Sequence, residues 1–280
     1  MKQRKITKKL LADFRNSMKN DEKSENTIEK YMRDVQRFAV FADSRNIDKN
    51  LTIEYKLYLG ENYAPSSANS MIAAMNSLLR FAGWHDICVK QFKIQAKTYC
   101  SEQSELTKAE YISLVRTAEA KKDKRLSLLI QTICATGIRV SEISFITVEA
   151  VREGEAVVSC KGKTRKVFIV KELRRKLLRF AESRGIVKGM IFITKNGNAL
   201  NRSNIWREMK SLCMRAGVMW EKVFPHNLRH LFARTFYGIE KDIAKLADIL
   251  GHSSINTTRI YIISTGEEHR RKMENMHLVI

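Results

Sequence analysis

The sequence predicts a mainly α-helical protein with one small β-hairpin, divided into an N-terminal helical domain and a C-terminal mixed domain. Three observations carry that expectation. Apolar residues recur every three to four positions over most of the chain, the period of a helix with one buried face. The stretch EAVVSCKGKTRKVFIV (residues 155–170) instead sets two β-branched runs around a glycine turn. Between the halves, QFKIQAKTYCSEQSE (residues 91–105) loses periodicity and turns polar. The expected division is a helical domain over 1–90, a linker over 91–105 and a second domain over 106–280.

In order along the chain, ENTIEKYMRDVQRFAVFADSRN places Ile28, Tyr31, Met32, Val35, Phe38, Ala39 and Ala42 on one face of a helix with a charged back. LTIEYKLYLGENY gives a shorter helix. PSSANSMIAAMNSLLRFAG gives a third, with Pro65 and Ser66 at its start and Gly83 placed to end it. After the linker, Thr107 and Glu110 have the spacing of a capping box that opens TKAEYISLVRTAEA. Gly162 marks the hairpin turn. MIFIT (190–194) is a candidate short strand before the NGN turn, and the chain after Asn201 reads as short helices. There are no internal repeats and no low-complexity tract.

Lys and Arg outnumber Asp and Glu by 51 to 30, a net charge of +21. That surplus points to a polyanionic partner, most simply nucleic acid, against the blander reading of an inert basic surface or a ribosome-associated protein. The charge is uneven: residues 1–103 hold 18 basic and 12 acidic side chains, net +6, and residues 104–280 hold 33 and 18, net +15. The opening MKQRKITKKLLADF has no apolar signal-peptide core, and no apolar run approaches a membrane span. Five widely spaced cysteines without a C-x-x-C pair fit free thiols in a reducing cytoplasm better than a disulfide framework or a zinc ribbon.

HNLRH puts His226 and His230 four apart on one helix face, the spacing of a zinc helix. Asn227 stands where a zinc hydrolase has its glutamate, however, and Arg229 would repel a cation. The group therefore suits an anion. Arg139 in ATGIRVSEI sits at the start of an expected helix just after Gly137, and LGHSSINTTRIY sets His252 nine residues before Tyr261. Taken singly, Arg139 reads as a surface charge, His226 as a core histidine and Tyr261 as packing.

Together, ATGIRVSE, the K-G-K hairpin, HNLRH and GHSSINTTRIY follow one another as in the tyrosine recombinases, the phage integrase and Xer-type family, which the chain resembles over nearly its whole length. The resemblance implies a SAM-like core-binding domain first and a tyrosine-recombinase catalytic domain after it. It places the family's active-site arginines on Arg139 and Arg229, its hairpin lysine on Lys161, its histidine on His226, its His-or-Trp position on His252 and its nucleophile on Tyr261. It implies DNA strand exchange through a 3′-phosphotyrosyl intermediate, with no metal or nucleotide cofactor. The KGK turn offers two lysines; the family's precedes the glycine, which selects Lys161. Lys163, Arg165 and Lys166 are then expected to contact the DNA backbone.

Residue chemistry agrees independently. A tyrosine with a pKa near ~10 needs a base or a nearby cation to attack phosphorus. Two guanidiniums can fork onto the non-bridging oxygens as charge grows there. His226 suits a proton acceptor or a hydrogen-bond donor behind the phosphate, and His252 a phosphate donor. Lys161 suits the general acid for the leaving 5′-oxygen, and His230 is expected to pack.

The expected partners are double-stranded DNA and further copies of the chain, a tetramer on synapsed sites, with room for a directionality factor or a second recombinase. A cytoplasmic location follows, with no membrane. The apolar ending, with Met273, Met276 and Leu278-Val279-Ile280, is expected to be exchanged between protomers, although the apolar YIIS after the nucleophile departs from the polar residues usual there. From the start at core-binding helices, no arm-binding domain is expected. A mobile-element integrase and a chromosome-dimer resolvase both fit. The competing readings are a type IB topoisomerase and a catalytically silent DNA-binding regulator.

Overall fold

The computed structural model describes residues 4–94, 105–160, 163–194, 196–262 and 273–276. The chain divides into two units, Met1–Ala96 and Lys97–Ile280.

The first unit is a four-helix bundle: α1 (Lys8–Asn20), α2 (Glu25–Ala42), α3 (Lys49–Asn62) and α4 (Pro65–Phe81). Helix α1 was not among the sequence expectations. Its signals are Thr7, whose side chain accepts from the Leu10 amide at 3.1 Å, and the pair Phe14 and Met18, one turn apart and both buried. The expected helices stand, with α4 entered through Pro65 at its first turn and followed by Gly83 at φ +75°. Ile28, Val35 and Phe38 of α2 are buried in clusters shared with Ile72, Met75 and Leu78 of α4. Two asparagines of α4, seven residues and hence two turns apart, pin the chain that leaves the bundle. Asn76 donates to the Val89 carbonyl at 2.7 Å and accepts from the Val89 amide at 3.1 Å. Asn69 does the same with Phe92, at 2.9 and 2.7 Å.

The second unit continues through α5 (Lys108–Ala120), α6 (Lys124–Thr136), a 3₁₀ turn (Val140–Phe145) and α7 (Val148–Glu153). The hairpin β1 (Glu155–Cys160) and β2 (Lys163–Phe168) comes next, then α8 (Lys171–Ser183), α9 (Arg202–Lys210), α10 (Cys213–Ala216), α11 (Pro225–Glu240), α12 (Ile243–Leu250) and α13 (Ile255–Ile262). The capping box at Thr107 and Glu110 is present, with bonds of 2.8 and 3.1 Å. The hairpin is antiparallel, from Glu155 opposite Phe168 to Cys160 opposite Lys163.

Arg139 stands at the start of a helix as expected, a short 3₁₀ one that it caps. One local expectation changes. The 190–194 stretch forms only single bridges, Thr147 with Met190 and Ile193 with Ala199. Lys161, Gly162 and the end of the chain with Leu278, Val279 and Ile280 lie outside the described residues, so the expected tail exchange falls there too.

Helix α6 runs through the core, with Leu129, Ile130 and Ile133 fully buried among Leu114, Leu177, Phe192 and Leu228. It stops at Gly137, φ +63°, where a Cβ would stand 2.5 Å from the Phe232 ring. Only glycine fits both the left-handed backbone and that contact. This stop turns the chain so that Arg139 faces the start of the site.

Candidate active site

The site is assembled around the C-terminal end of α12. The last carbonyls of a helix lack partners within it and carry the negative end of its dipole, so they attract cations. Three successive carbonyls here each receive one guanidinium: Ile249 from Arg165 at 3.2 Å, Leu250 from Arg229 at 2.7 Å and Gly251 from Arg139 at 3.4 Å. Arg229, only 1% exposed, also donates to the Gly137 carbonyl at the end of α6. Burial pushes its pKa down to about 10, with the charge of Arg139 adding to the effect and the Tyr261 hydroxyl opposing it, so it stays cationic at neutral pH.

Arg139 and Arg165 are joined by Glu142, which is buried and was not singled out from the sequence. Its carboxylate accepts from the Arg139 amide at 3.0 Å, from the Arg139 guanidinium at 3.0 Å and from Arg165 at 2.6 Å. Its sequence signal is the spacing, an acid three residues after Arg139. Arg165, expected at the DNA backbone, is turned inward, its side chain 12% exposed. Lys166 is exposed and pairs with Glu155 at 2.7 Å, which raises its pKa. Lys161 lies outside the described residues, and Lys163 is placed only as the first residue of β2.

Helix α11 begins with Pro225, so His226 stands in its first turn and Arg229 one turn on. His252 follows the α12 cap. Its Nε2 lies 3.0 Å from Arg229 Nη2 and its Nδ1 2.9 Å from Thr258 Oγ1. Because the guanidinium can only donate, Nε2 accepts and the ring proton sits on Nδ1, facing Thr258. Thr258, fully buried, lies one turn before Tyr261, so this bond fixes the helix that carries the tyrosine.

Tyr261 is 6% exposed and sits among three imidazoles. Ring centroids lie 5.4 Å away for His226, 4.3 Å for His230 and 5.2 Å for His252. The Tyr261 hydroxyl is 3.5 Å from His226 Nε2. His230, expected to pack, lies tilted against the Tyr261 ring at 38°, with Nδ1 3.6 Å from Glu105. Burial works against the Glu105 carboxylate, but contact with His230 and the charge of Arg234 hold its pKa below the usual range.

Both His226 and His252 have pKa values lowered to about 4, first by desolvation and then by neighbouring charges, Arg229 and Arg139 among them. They are neutral at pH 7. His226 keeps one side open to a pocket of about 810 Å³, also lined by Arg139, Arg202, Trp206, Arg207 and Arg229. Tyr261 lies behind that wall rather than in it. Arg202 and Arg207, on α9, carry no sequence signal that would have set them apart from other basic residues. The arrangement offers an anion two guanidiniums at the pocket, with a neutral base and a phenol beside it. Among the described residues, no group of three or more His, Cys, Asp or Glu is placed to hold a metal ion.

This fold and this combination of arginines, histidines and tyrosine define a class. The phage integrase family model matches residues 104–268, and the model of the phage integrase N-terminal SAM-like domain matches residues 11–86. The chain belongs to the phage integrase family, the tyrosine recombinases. Tyrosine recombinase XerA of Pyrococcus furiosus is 27% identical, covering 100% of this chain and 98% of its own. Tyrosine recombinase XerH of Campylobacter jejuni is 36% identical over 54% of this chain and 45% of its own. Among solved structures, XerH bound to its difH substrate has a TM-score of 0.69 at 23% identity, covering 90% of this chain and 79% of its own. A lambda integrase dimer on a COC′ core site has a TM-score of 0.74 at 17% identity, covering 91% and 95%.

Proposed function

We propose that the chain is a site-specific DNA recombinase that cuts and rejoins strands by transesterification, with Tyr261 as nucleophile. The observation that carries this reading is the Tyr261 hydroxyl, 3.5 Å from a neutral His226 at the wall of a pocket that Arg139 and Arg229 also line.

Tyr261 Oη attacks a backbone phosphorus and passes its proton to His226. Arg139 and Arg229 neutralise the two non-bridging oxygens as charge builds on the phosphorane. The bond to the 5′-oxygen breaks, and Lys161 supplies its proton. The strand is left joined to Tyr261 through its 3′-phosphate. Attack by a 5′-hydroxyl, its own or a partner strand's, reverses the steps and restores the tyrosine. The phosphodiester is exchanged and never hydrolysed, so the scheme calls for no energy source and no cofactor.

Relatives named tyrosine recombinases span nearly the full length of this chain. Structures of the same fold are described as a DNA-bound dimer and as a tetramer on a Holliday junction. They support double-stranded DNA as substrate and a homotetramer on synapsed sites; a directionality factor or a second recombinase would be a further partner. Lys163 and Lys166 are assigned to backbone phosphates beside the cleavage point. A neighbour of the same fold is a transposon integrase, in keeping with a mobile element as the source. Among the described residues no helix is long and apolar enough to cross a membrane. A cytoplasmic location completes the reading.

The test is a duplex nicked beside the cleavage point, which loses the short 5′-ended fragment and traps the covalent complex. The wild-type protein is expected to give an adduct stable on a denaturing gel, formed equally with EDTA present. Tyr261→Phe is expected to give none while binding DNA within a few-fold of wild type. An adduct formed by Tyr261→Phe at the wild-type rate removes the assignment.

A further inference from the structure

We propose that Arg165 is a positioning residue, the buried tie that holds the β1–β2 hairpin against the end of α12 where Arg139, Arg229 and His252 are gathered. The inference rests on the function proposed above and adds a residue to it.

A two-stranded ribbon of six-residue strands is marginal alone and takes its position from what it packs against. Near its base the hairpin is held by Ala156, Val158 and Val167, all buried. Toward the tip, Ser159 and Thr164 are exposed. Arg165, paired across the ladder with Val158, is therefore the described inward-turned side chain nearest the start of β2, the strand that follows Lys161 in sequence.

Its contacts reach both halves of the site. One guanidinium nitrogen donates to Glu142 at 2.6 Å, on the same carboxylate that holds the backbone and side chain of Arg139. The other donates to the Ile249 carbonyl at 3.2 Å, two residues before Gly251 and three before His252. The stem fills the space beside Gly251, where a Cβ would come within 2.3 Å of Arg165 Cδ. Only a planar fork spans an acid on one side and a helix-end carbonyl on the other; a lysine ammonium is a single point. The hairpin is thus registered to Arg139 and to His252 by one side chain. At 12% exposure Arg165 is poorly placed to meet a phosphate itself.

Loss of Arg165 is therefore expected to impair protonation of the leaving 5′-oxygen more than DNA binding. The experiment compares single-turnover cleavage of two nicked duplexes, one ordinary and one with sulfur in place of the bridging 5′-oxygen. A thiolate leaves without a proton, so that substrate bypasses the general acid. On the oxygen substrate Arg165→Met is expected to slow adduct formation about 10²-fold, as is Lys161→Ala, the loss typical of a missing general acid. On the sulfur substrate both are expected to return to within a few-fold of wild type, with gel-shift affinity unchanged within a few-fold throughout. Arg139→Ala, which lacks a phosphate ligand, is expected to stay slow on both. If Arg165→Met melts below the assay temperature, Arg165→Lys decides by the same comparison, since it keeps the charge and loses the fork. Equal slowing on both substrates, or wild-type cleavage of the oxygen substrate, overturns the inference alone. Absence of any adduct from the wild-type protein overturns the proposed function instead.

Discussion

At the scale of single residues, the site keeps His226 and His252 neutral by partial removal from water and by the cations beside them. This has a consequence for stability whose sign is fixed. In the unfolded chain an imidazole takes up its proton near pH 6.5, whereas His226 and His252 hold theirs off until about pH 4 in the fold. Between those values the unfolded state binds more protons, so acid favours unfolding. Their contribution is fully present above about pH 6.5 and is lost as the pH falls toward 4. Each tenfold loss of proton affinity is worth at most about 1.4 kcal/mol, and the part of each ring open to water reduces it. The melting temperature is expected to drop from pH 7 to pH 4.5, and His252→Asn is expected to flatten that slope. An equally steep slope in the variant would place the effect elsewhere. Arg139, His226, Arg229, His252 and Tyr261 were legible because each stands in a short motif whose chemistry is recognisable. Arg165 was not, because a basic residue in a basic hairpin reads as a phosphate contact until its carboxylate partner, 23 positions earlier in sequence, is seen. Thr258 was hidden in the same way, its role being set by the His252 ring it meets.

At the scale of elements, glycine marks where the site's helices must stop, and two glycines separate the reasons. Gly137 and Gly217 both end helices in the left-handed region, at φ +63° and +64°. A Cβ at Gly217 meets nothing within 4 Å, whereas at Gly137 it meets Phe232 at 2.5 Å and Leu250 at 3.1 Å. Gly217→Ala is expected to cost about 1–2 kcal/mol, the backbone penalty alone. Gly137→Ala adds overpacking of about 1–3 kcal/mol and displaces the carbonyl that takes Arg229. Urea unfolding of the two variants measures the difference, and equal losses would show that Phe232 gives way freely. Helix periodicity made most helices legible, and the two β-branched runs around Gly162 made the hairpin legible. The miss at α1 has a plain cause: Leu10, Leu11, Phe14 and Met18 have the right spacing but lie in a stretch dominated by lysine, which masks a narrow apolar face. Arg139 reads as the start of a helix from its place just after Gly137. The structure closes it as a 3₁₀ turn whose first residue is held by Glu142.

At the scale of the whole molecule, two units with separate cores carry unequal shares of one charge. The clusters around Ile72 and around Ile133 share no residue, so each unit has what it needs to fold alone. Residues 1–103 hold net +6 and residues 104–280 net +15. If both contact backbone phosphates, each neutralised phosphate adds about 0.9 to the slope of log K against log salt. The full chain is then expected to bind its duplex with a steep linear dependence. A fragment of residues 104–280 is expected to bind much more weakly and with a shallower slope, since the contacts of the first unit are gone. Lys166→Ala in the full chain, which removes an exposed charge, is expected to reduce the slope by about one contact at most, whereas the buried Arg165 contributes none. Titrations of labelled duplex at several salt concentrations give all these slopes on one scale. A fragment as tight and as salt-sensitive as the full chain would mean that the first unit adds no phosphate contacts, and that the +15 of the second carries the binding by itself.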